Sequence, residues 1–165
     1  MCIRDSCKGN GPQLNQENYP DDDSLKTIGS NLGSQVAIAY ENLQFKQACE
    51  AILELANASN KYIDDHAPWV LFKEDKQAEI EQVLYAVLES IRLSAYLLSP
   101  IVPNLSNAIY QQLGFSCDFN KLTQSSSNFA FAQHSRWGDL PANLNLNKAS
   151  PVFTQLELSS VVTDS

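Results

Sequence analysis

Positive charge is scarce in this sequence of 165 residues. It has 11 lysines and arginines against 19 aspartates and glutamates, a formal net charge of −8. A protein that binds nucleic acid mainly through phosphates clusters its basic residues, so this composition argues against that mode and against DNA as a partner. It still permits binding of a few exposed RNA bases, because stacking and base-edge hydrogen bonds need little positive charge.

Motifs for metals, phosphates and membranes are also missing. Cys2, Cys7, Cys49 and Cys117 form no CxxC pair, which argues against a zinc site and against a disulfide framework. We therefore expect a reducing, cytoplasmic location. No apolar run reaches the ~18–20 residues of a membrane span, and no apolar segment typical of a signal peptide is found near residue 1, so we expect no membrane partner. With no phosphate loop, Ser/His/Asp set or HExxH motif, we expect no catalytic residue and no metal ligand.

Helical periodicity dominates the middle of the chain. Apolar residues recur at helical spacing over 24–42, 44–66 and 75–98, and a shorter helix is expected to begin near Pro103 and end before Gly114. The fold class predicted is all-α, a helical bundle with irregular ends.

Individual residues predict where these helices begin and end and which side chains they bury. Asp23 or Ser24 is a suitable N-cap for the first helix, and Pro68 is expected to end the second. Gly29 and Gly33 each cost the first helix about 1 kcal/mol relative to alanine. The second helix is predicted to bury one stripe, formed by Phe45, Ala48, Cys49, Ile52, Ala56, Ser59 and Ile63.

The third helix carries the strongest periodic pattern. Its predicted buried stripe consists of Ile80, Val83, Leu84, Val87, Leu88, Ile91, Ala95 and Leu98. Arg92 lies about one residue away from this stripe around the helix. Glu89 and Glu50 are its candidate ion-pair partners. His134, further along the chain, is expected at the surface with no obvious partner.

The pattern divides the chain into four segments. Residues 1–6 are unlike the rest of the sequence and are predicted to be a non-native leader, 7–23 a loop, 24–115 the helical bundle and 116–165 an irregular tail. Apolar residues are expected to fasten the tail to a surface: Trp137, Leu140, Leu144, Leu146 and Phe153.

Trp69 is the most informative residue. It follows Pro68 at the break between the two longest helices, where a tryptophan can present its face to solvent. An exposed indole face is a platform for an unstacked base. The structural alternative is a tryptophan that closes the end of the core, and the residue alone does not decide between them.

Polar residues near this break have two interpretations each. Asn60 caps or cross-links the break, or it contacts a base edge. Lys61, Lys73 and Lys76 contact phosphate, or they balance the neighbouring acidic side chains. Asp64-Asp65-His66 suggests a metal site or an acid–base pair, but consecutive helical residues point about 100° apart and cannot converge on one ion. A solvated helix end is therefore the favoured interpretation.

A family resemblance is carried by two groups of residues in order along the chain. Phe45, Asn60, Tyr62, Ile63, Pro68, Trp69, Leu71 and Lys73 form the first. Val83-Leu84-Tyr85, Glu89, Ile91-Arg92, Leu97-Leu98-Ser99-Pro100, Pro103 and Leu113-Gly114 form the second. Together with Trp137-Gly138-Asp139-Leu140-Pro141, they resemble the C-terminal anticodon-binding domain of methionyl-tRNA synthetases, class I aminoacyl-tRNA synthetases, and the Cys7 loop resembles the cyanobacterial branch.

The resemblance implies a function and its partners. The parent enzyme would be an ATP-dependent methionine–tRNA ligase, and this domain would recognise the CAU anticodon of tRNA(Met). Trp69 would stack on an anticodon base, with weaker roles for Asn60, Lys61 and Lys73. The tail would dock on the catalytic domain of the same polypeptide. The open alternative is a helical protein-interaction module without RNA binding.

Departures from the family pattern limit what this chain does by itself. The ATP-binding signatures of His-Ile-Gly-His and Lys-Met-Ser-Lys-Ser type are absent. ATP and Mg2+, with Zn2+ as a further candidate, therefore belong to a catalytic domain outside this chain, and the chain alone is expected to be inactive. The family's first anticodon helix is expected before Cys7, so the bundle is expected to be incomplete at its N-terminus.

Overall fold

A computed structural model shows six helices among the residues that it describes. These residues are Pro12, Tyr19, 23–116, Asp118, Phe119 and 131–152, with only the backbone of Gln133. The helices are α1 (Ser24–Glu41), α2 (Phe45–His66), α3 (Pro68–Lys73), α4 (Gln77–Leu98), α5 (Pro103–Leu113) and α6 (Phe131–His134). The predicted all-α fold class is confirmed.

Caps fix the first helix and the fifth. The carboxylate of Asp23 accepts hydrogen bonds from the backbone N–H of Leu25 (2.9 Å) and Lys26 (3.1 Å), which satisfies two of the free donors at the start of α1. Gly114 ends α5 at φ 93°, in the left-handed region that glycine adopts without strain. Both caps lie where the sequence indicates a boundary.

The connection between the second and third predicted helices differs from the prediction. Residues 67–74 are not only a loop, because Pro68 opens a further helix, α3, at a first helical position. Six residues are too few to show helical periodicity, so the sequence pattern does not reveal it. The following helix, α4, begins at Gln77 instead of near Asp75, whose φ is 58°.

Helix α4 is the centre of the bundle and packs against α1, α2, α3 and α5. The predicted single stripe is therefore incomplete, because other faces of α4 are also buried. Tyr85, Ala86, Leu93, Tyr96 and Leu97 join the core, whereas Ile91 of the predicted stripe is exposed. The stripe of α2 is also shifted, because Phe45 is exposed and Leu55 and Tyr62 are buried instead.

The tail packs back onto this bundle over residues 131–152. Trp137 and Leu140 are buried, and Leu144 and Leu146 are partly buried against the core; Phe153 lies outside the described residues. A Cβ at Gly29 would lie 2.1 Å from Cε3 of Trp137, and one at Gly33 would lie 2.2 Å from the carbonyl oxygen of Ser135. The two glycines that weaken α1 are therefore the residues that let the tail approach it.

A buried ion pair on α4 holds the tail. Glu89 and Arg92 are almost fully buried, and the guanidinium Nε and Nη2 donate to the two carboxylate oxygens at 2.7 Å. Arg92 also donates to the carbonyl oxygens of His134 (2.9 Å) and Arg136 (2.6 Å). Burial lowers the pKa of Arg92, but the negative charge of Glu89 and its hydrogen bonds outweigh this and raise the pKa above its usual value, so the guanidinium stays charged.

Two predictions about this region need correction or refinement. Arg92 pairs with Glu89 and not with Glu50, which forms an exposed pair with Lys46. The prediction that His134 has no partner is wrong, because its Nδ1 lies 2.5 Å from Oδ2 of Asp139. Backbone N–H groups of Gly138 and Asp139 donate to Glu89, which brings the loop round to His134.

Among the described helices, none is both long enough and apolar enough to cross a membrane.

Candidate nucleic-acid interface

The corner between α2 and α3 carries the candidate site. Helix α2 ends at His66, and Ala67 takes φ 40° and ψ 63°, a left-handed conformation that is strained for a residue with a Cβ. Pro68 contributes to this geometry, because the residue before a proline is disfavoured in the right-handed helical region. The N–H of Val70 then donates to the carbonyl of Ala67 at 2.7 Å, which begins α3 at once.

Tyr62 connects this corner to the start of α1. Its ring stacks on the ring of His66 with a centroid distance of 3.9 Å, and Nδ1 of His66 donates to the Tyr62 carbonyl at 2.9 Å. The Tyr62 hydroxyl donates to Oδ2 of Asp23, the N-cap of α1, at 2.6 Å. Burial, followed by this hydrogen bond to Asp23, raises the pKa of Tyr62 to about 12. The last turn of α2 is therefore tied to a second helix.

Helix α3 presents aromatic side chains to solvent. Leu71 is its inward residue and packs against the core, while Trp69 is 44% exposed and Phe72 is 55% exposed. At 3.6 residues per turn, Trp69 lies about 160° round the helix from Leu71. Of the two alternatives for Trp69, the exposed platform agrees with this geometry better than closure of the core does.

The weaker candidates surround the corner without forming a closed pocket. Asn60 and Lys61 are exposed on α2, within about two turns of its end, and Lys73 is exposed about one turn after Trp69. Within the described part of the chain, Lys61 and Lys73 form no ion pair. These two lysines are thus able to meet a phosphate.

Lys76 is different from the other two lysines. Its Nζ lies 3.0 Å from Glu74 and 3.9 Å from Glu79. Its pKa is raised, first by the hydrogen bond to Glu74 and then by the charges of the two glutamates. Balancing acidic neighbours is therefore the interpretation that fits Lys76.

Asp64, Asp65 and His66 are all exposed, and His66 is engaged with Tyr62. Over the described residues, no group of three or more His, Cys, Asp or Glu side chains is close enough to hold a metal ion. The arrangement at this corner suits contact with flat, neutral bases and offers few groups for phosphate.

Two features of the site are not visible in the sequence pattern. Phe72 lies three residues from Trp69, but this spacing places the two on one side only if 68–73 is a helix, which the pattern does not indicate. The Asp23–Tyr62 bond joins residues 39 positions apart and has no local signature.

Comparison with known proteins identifies relatives for most of the chain. The family described as "Anticodon binding domain of methionyl tRNA ligase" matches residues 18–143. The methionine–tRNA ligase of Synechocystis sp. is 56% identical over 160 residues, which cover 94% of this chain and 30% of that protein. The chloroplastic/mitochondrial methionine–tRNA ligase of Arabidopsis thaliana is 41% identical over 138 residues, 82% of this chain and 21% of that protein.

Solved structures agree in fold. The apo form of Mycobacterium tuberculosis methionyl-tRNA synthetase superposes with a TM-score of 0.71 at 23% identity, covering 94% of this chain and 29% of that one. The same enzyme in complex with methionyl-adenylate gives a TM-score of 0.67 at 23% identity, covering 93% of this chain and 28% of that one. The chain therefore spans 21–30% of the length of these relatives.

Proposed function

The chain belongs to the family of anticodon-binding domains of methionyl-tRNA ligases, and on this premise we propose that it binds the CAU anticodon of tRNA(Met). The observation that carries this proposal is the exposed ring of Trp69 on α3. Stacking on an aromatic side chain is worth about 1–3 kcal/mol per base and needs no cluster of positive charge. It therefore suits a chain whose net charge is −8.

Trp69 is the principal binding residue in this proposal. Asn60 has the weaker role of contacting a base edge, and Lys61 and Lys73 have the weaker role of contacting phosphate. The three are exposed within about two turns of the corner. The strained backbone at Ala67 and the bond from Tyr62 to Asp23 hold the platform in place before RNA arrives.

The whole enzyme is proposed to be an ATP-dependent methionine–tRNA ligase in the cytoplasm. ATP and Mg2+, with Zn2+ as a further candidate, would be bound by its catalytic domain, with which this domain shares a polypeptide. The tail is proposed to contact that domain through the side facing away from the bundle. This chain alone is expected to show no methionine-dependent ATP–pyrophosphate exchange, because no ATP-binding signature occurs in it.

Binding of an RNA stem-loop tests the proposed role directly. We expect the chain to bind a stem-loop with the CAU anticodon more tightly than one with the same three bases in reverse order. Trp69→Ala should weaken binding about 5- to 150-fold, the equivalent of 1–3 kcal/mol. The matched control is Phe45→Ala, because Phe45 is a similarly exposed aromatic residue at the opposite end of α2.

Two outcomes would contradict the proposal. Equal affinity for both stem-loops would exclude anticodon recognition by this chain. No RNA binding at all would favour the alternative, a helical protein-interaction module.

A further inference from the structure

We propose that Phe72 is a second stacking surface, which binds a nucleotide base next to the base on Trp69. This inference deepens the proposed function and rests on it. It extends the site from one base to two consecutive bases of a single-stranded RNA loop.

Helical geometry places Trp69 and Phe72 at neighbouring positions on one side of α3. Residues three apart in an α-helix lie about 60° apart around the axis and about 4.5 Å apart along it. A strand advances about 3.4 Å per nucleotide even when its bases are stacked, so a strand with bases splayed apart is able to span the offset between the two side chains. Trp69 and Phe72 belong to one continuous helix, α3, which fixes this offset.

The exposure of Phe72 indicates that its ring contributes little to the packing of the core. It is 55% exposed, and no described aromatic ring contacts it. Leu71 provides the contact of α3 with the core. Isolated surface phenylalanines are common, but this one lies beside the exposed Trp69 on the same side of the same helix.

Charge favours an RNA base over a second copy of the chain as the occupant. Exposed Asp64, Asp65, Glu74 and Asp75 flank the aromatic pair, so a second copy would bring the same acidic residues against them. The base of a nucleotide adds no charge to the stacked face, and its phosphate requires a basic side chain nearby. Lys73 lies about 40° round α3 from Trp69, on the side away from Phe72, where it is free to meet the phosphate of the same strand.

The test combines Phe72→Leu with stem-loops that lack single bases. Leucine keeps an apolar side chain but removes the aromatic face, and Phe45→Leu is the matched control at a remote exposed phenylalanine. We expect Phe72→Leu to weaken binding of the intact CAU stem-loop at least about fivefold, the lower end for loss of one stacked base. Phe45→Leu should leave the affinity unchanged.

An abasic nucleotide at each loop position in turn identifies the base concerned. At one position, Phe72→Leu should cause no further loss, whereas Trp69→Ala still should; at a neighbouring position the pattern should be reversed. Circular dichroism and melting of Phe72→Leu should match the parent chain, because leucine preserves the apolar contacts.

The outcomes distinguish a failure of the Phe72 inference from a failure of the proposed function. If Trp69→Ala weakens binding but Phe72→Leu does not, Phe72 is no stacking surface and the proposed function stands. If neither substitution matters, the stacking role proposed for Trp69 fails together with the inference, and the comparison of the two stem-loops still decides whether the chain recognises the anticodon. If Phe72→Leu changes only self-association, measured by sedimentation, a second copy is the occupant and the inference is overturned.

Discussion

The two tryptophans of this chain lie in opposite environments. Trp69 is 44% exposed on a six-residue helix at a corner of the bundle, whereas Trp137 is 4% exposed and packs over Gly29 of α1. Around Trp137, nearby polar groups bond to other parts of the same chain, above all Glu89 and Arg92. Around Trp69, Lys61 and Lys73 form no ion pair within the described residues, and no described aromatic ring contacts Phe72.

This difference is the one expected between a structural region and the proposed binding region. In the tail clamp, defined as Glu89, Arg92 and the segment 134–139, the buried ion pair is hydrogen-bonded to the tail backbone, although the buried Nε1 of Trp137 has no partner among the described residues. We expect the clamp to contribute stability. The corner, defined as residues 60–73, leaves the rings of Trp69 and Phe72 exposed and is the proposed site of RNA binding. Substitutions in the first region should change unfolding, and substitutions in the second should change RNA binding.

Arg92→Met is expected to cause the largest loss of stability. It leaves Glu89 buried without its cation, which costs about 3–5 kcal/mol in comparable buried pairs. The free energy of unfolding from urea titration measures this loss. Arg136→Met is the matched control because Arg136 is an exposed arginine of the same segment, and it should have little effect. Equal losses for the two arginines would contradict a clamp centred on Arg92.

Gly29→Ala is expected to destabilise the chain by about 1–3 kcal/mol, because the added methyl overlaps the ring of Trp137. The sign is diagnostic, since glycine to alanine inside an unobstructed helix stabilises by about 1 kcal/mol. In a Trp137→Ala background the cost should disappear. If Gly29→Ala stabilises both backgrounds, the tail does not pack on α1.

Tyr62→Phe is expected to have a smaller effect on stability, about 0.5–1.5 kcal/mol, from loss of the bond to Asp23. Tyr40→Phe removes a comparable bond, from its hydroxyl to the Leu97 carbonyl at 2.6 Å, far from the corner. Only Tyr62→Phe should also weaken RNA binding, because only it loosens the corner. If both variants bind RNA equally well, Tyr62 has no positioning role.

The dependence of RNA affinity on salt is expected to be weak for a protein that binds nucleic acid. Two phosphate contacts, through Lys61 and Lys73, give a slope of log K against log salt of about −1.4 for a single strand. Isothermal titration over a range of potassium chloride concentrations measures the slope. A slope several times steeper would show that phosphates, rather than bases, dominate the interaction.

Structure that is set locally could be predicted from the sequence. Periodicity and caps predicted α1, α2, α4 and α5 because each is long enough to repeat its apolar pattern, and the exposure of Trp69 agrees with a proline-linked corner. Prediction failed where the environment of a side chain depends on a distant segment or on a helix too short to show a period. The burial of Arg92 depends on carbonyls more than 40 residues away, and the face shared by Phe72 and Trp69 depends on a helix too short to show a period.

The contrast between the two tryptophans is tested most directly by 19F NMR of the chain labelled with 5-fluorotryptophan. Trp69→Phe assigns the two resonances, and the labelled chain is then titrated with the CAU stem-loop. We predict that the Trp69 resonance shifts on binding while the Trp137 resonance keeps its position. RNA binding that shifts the Trp137 resonance and leaves that of Trp69 unchanged would contradict this assignment of roles.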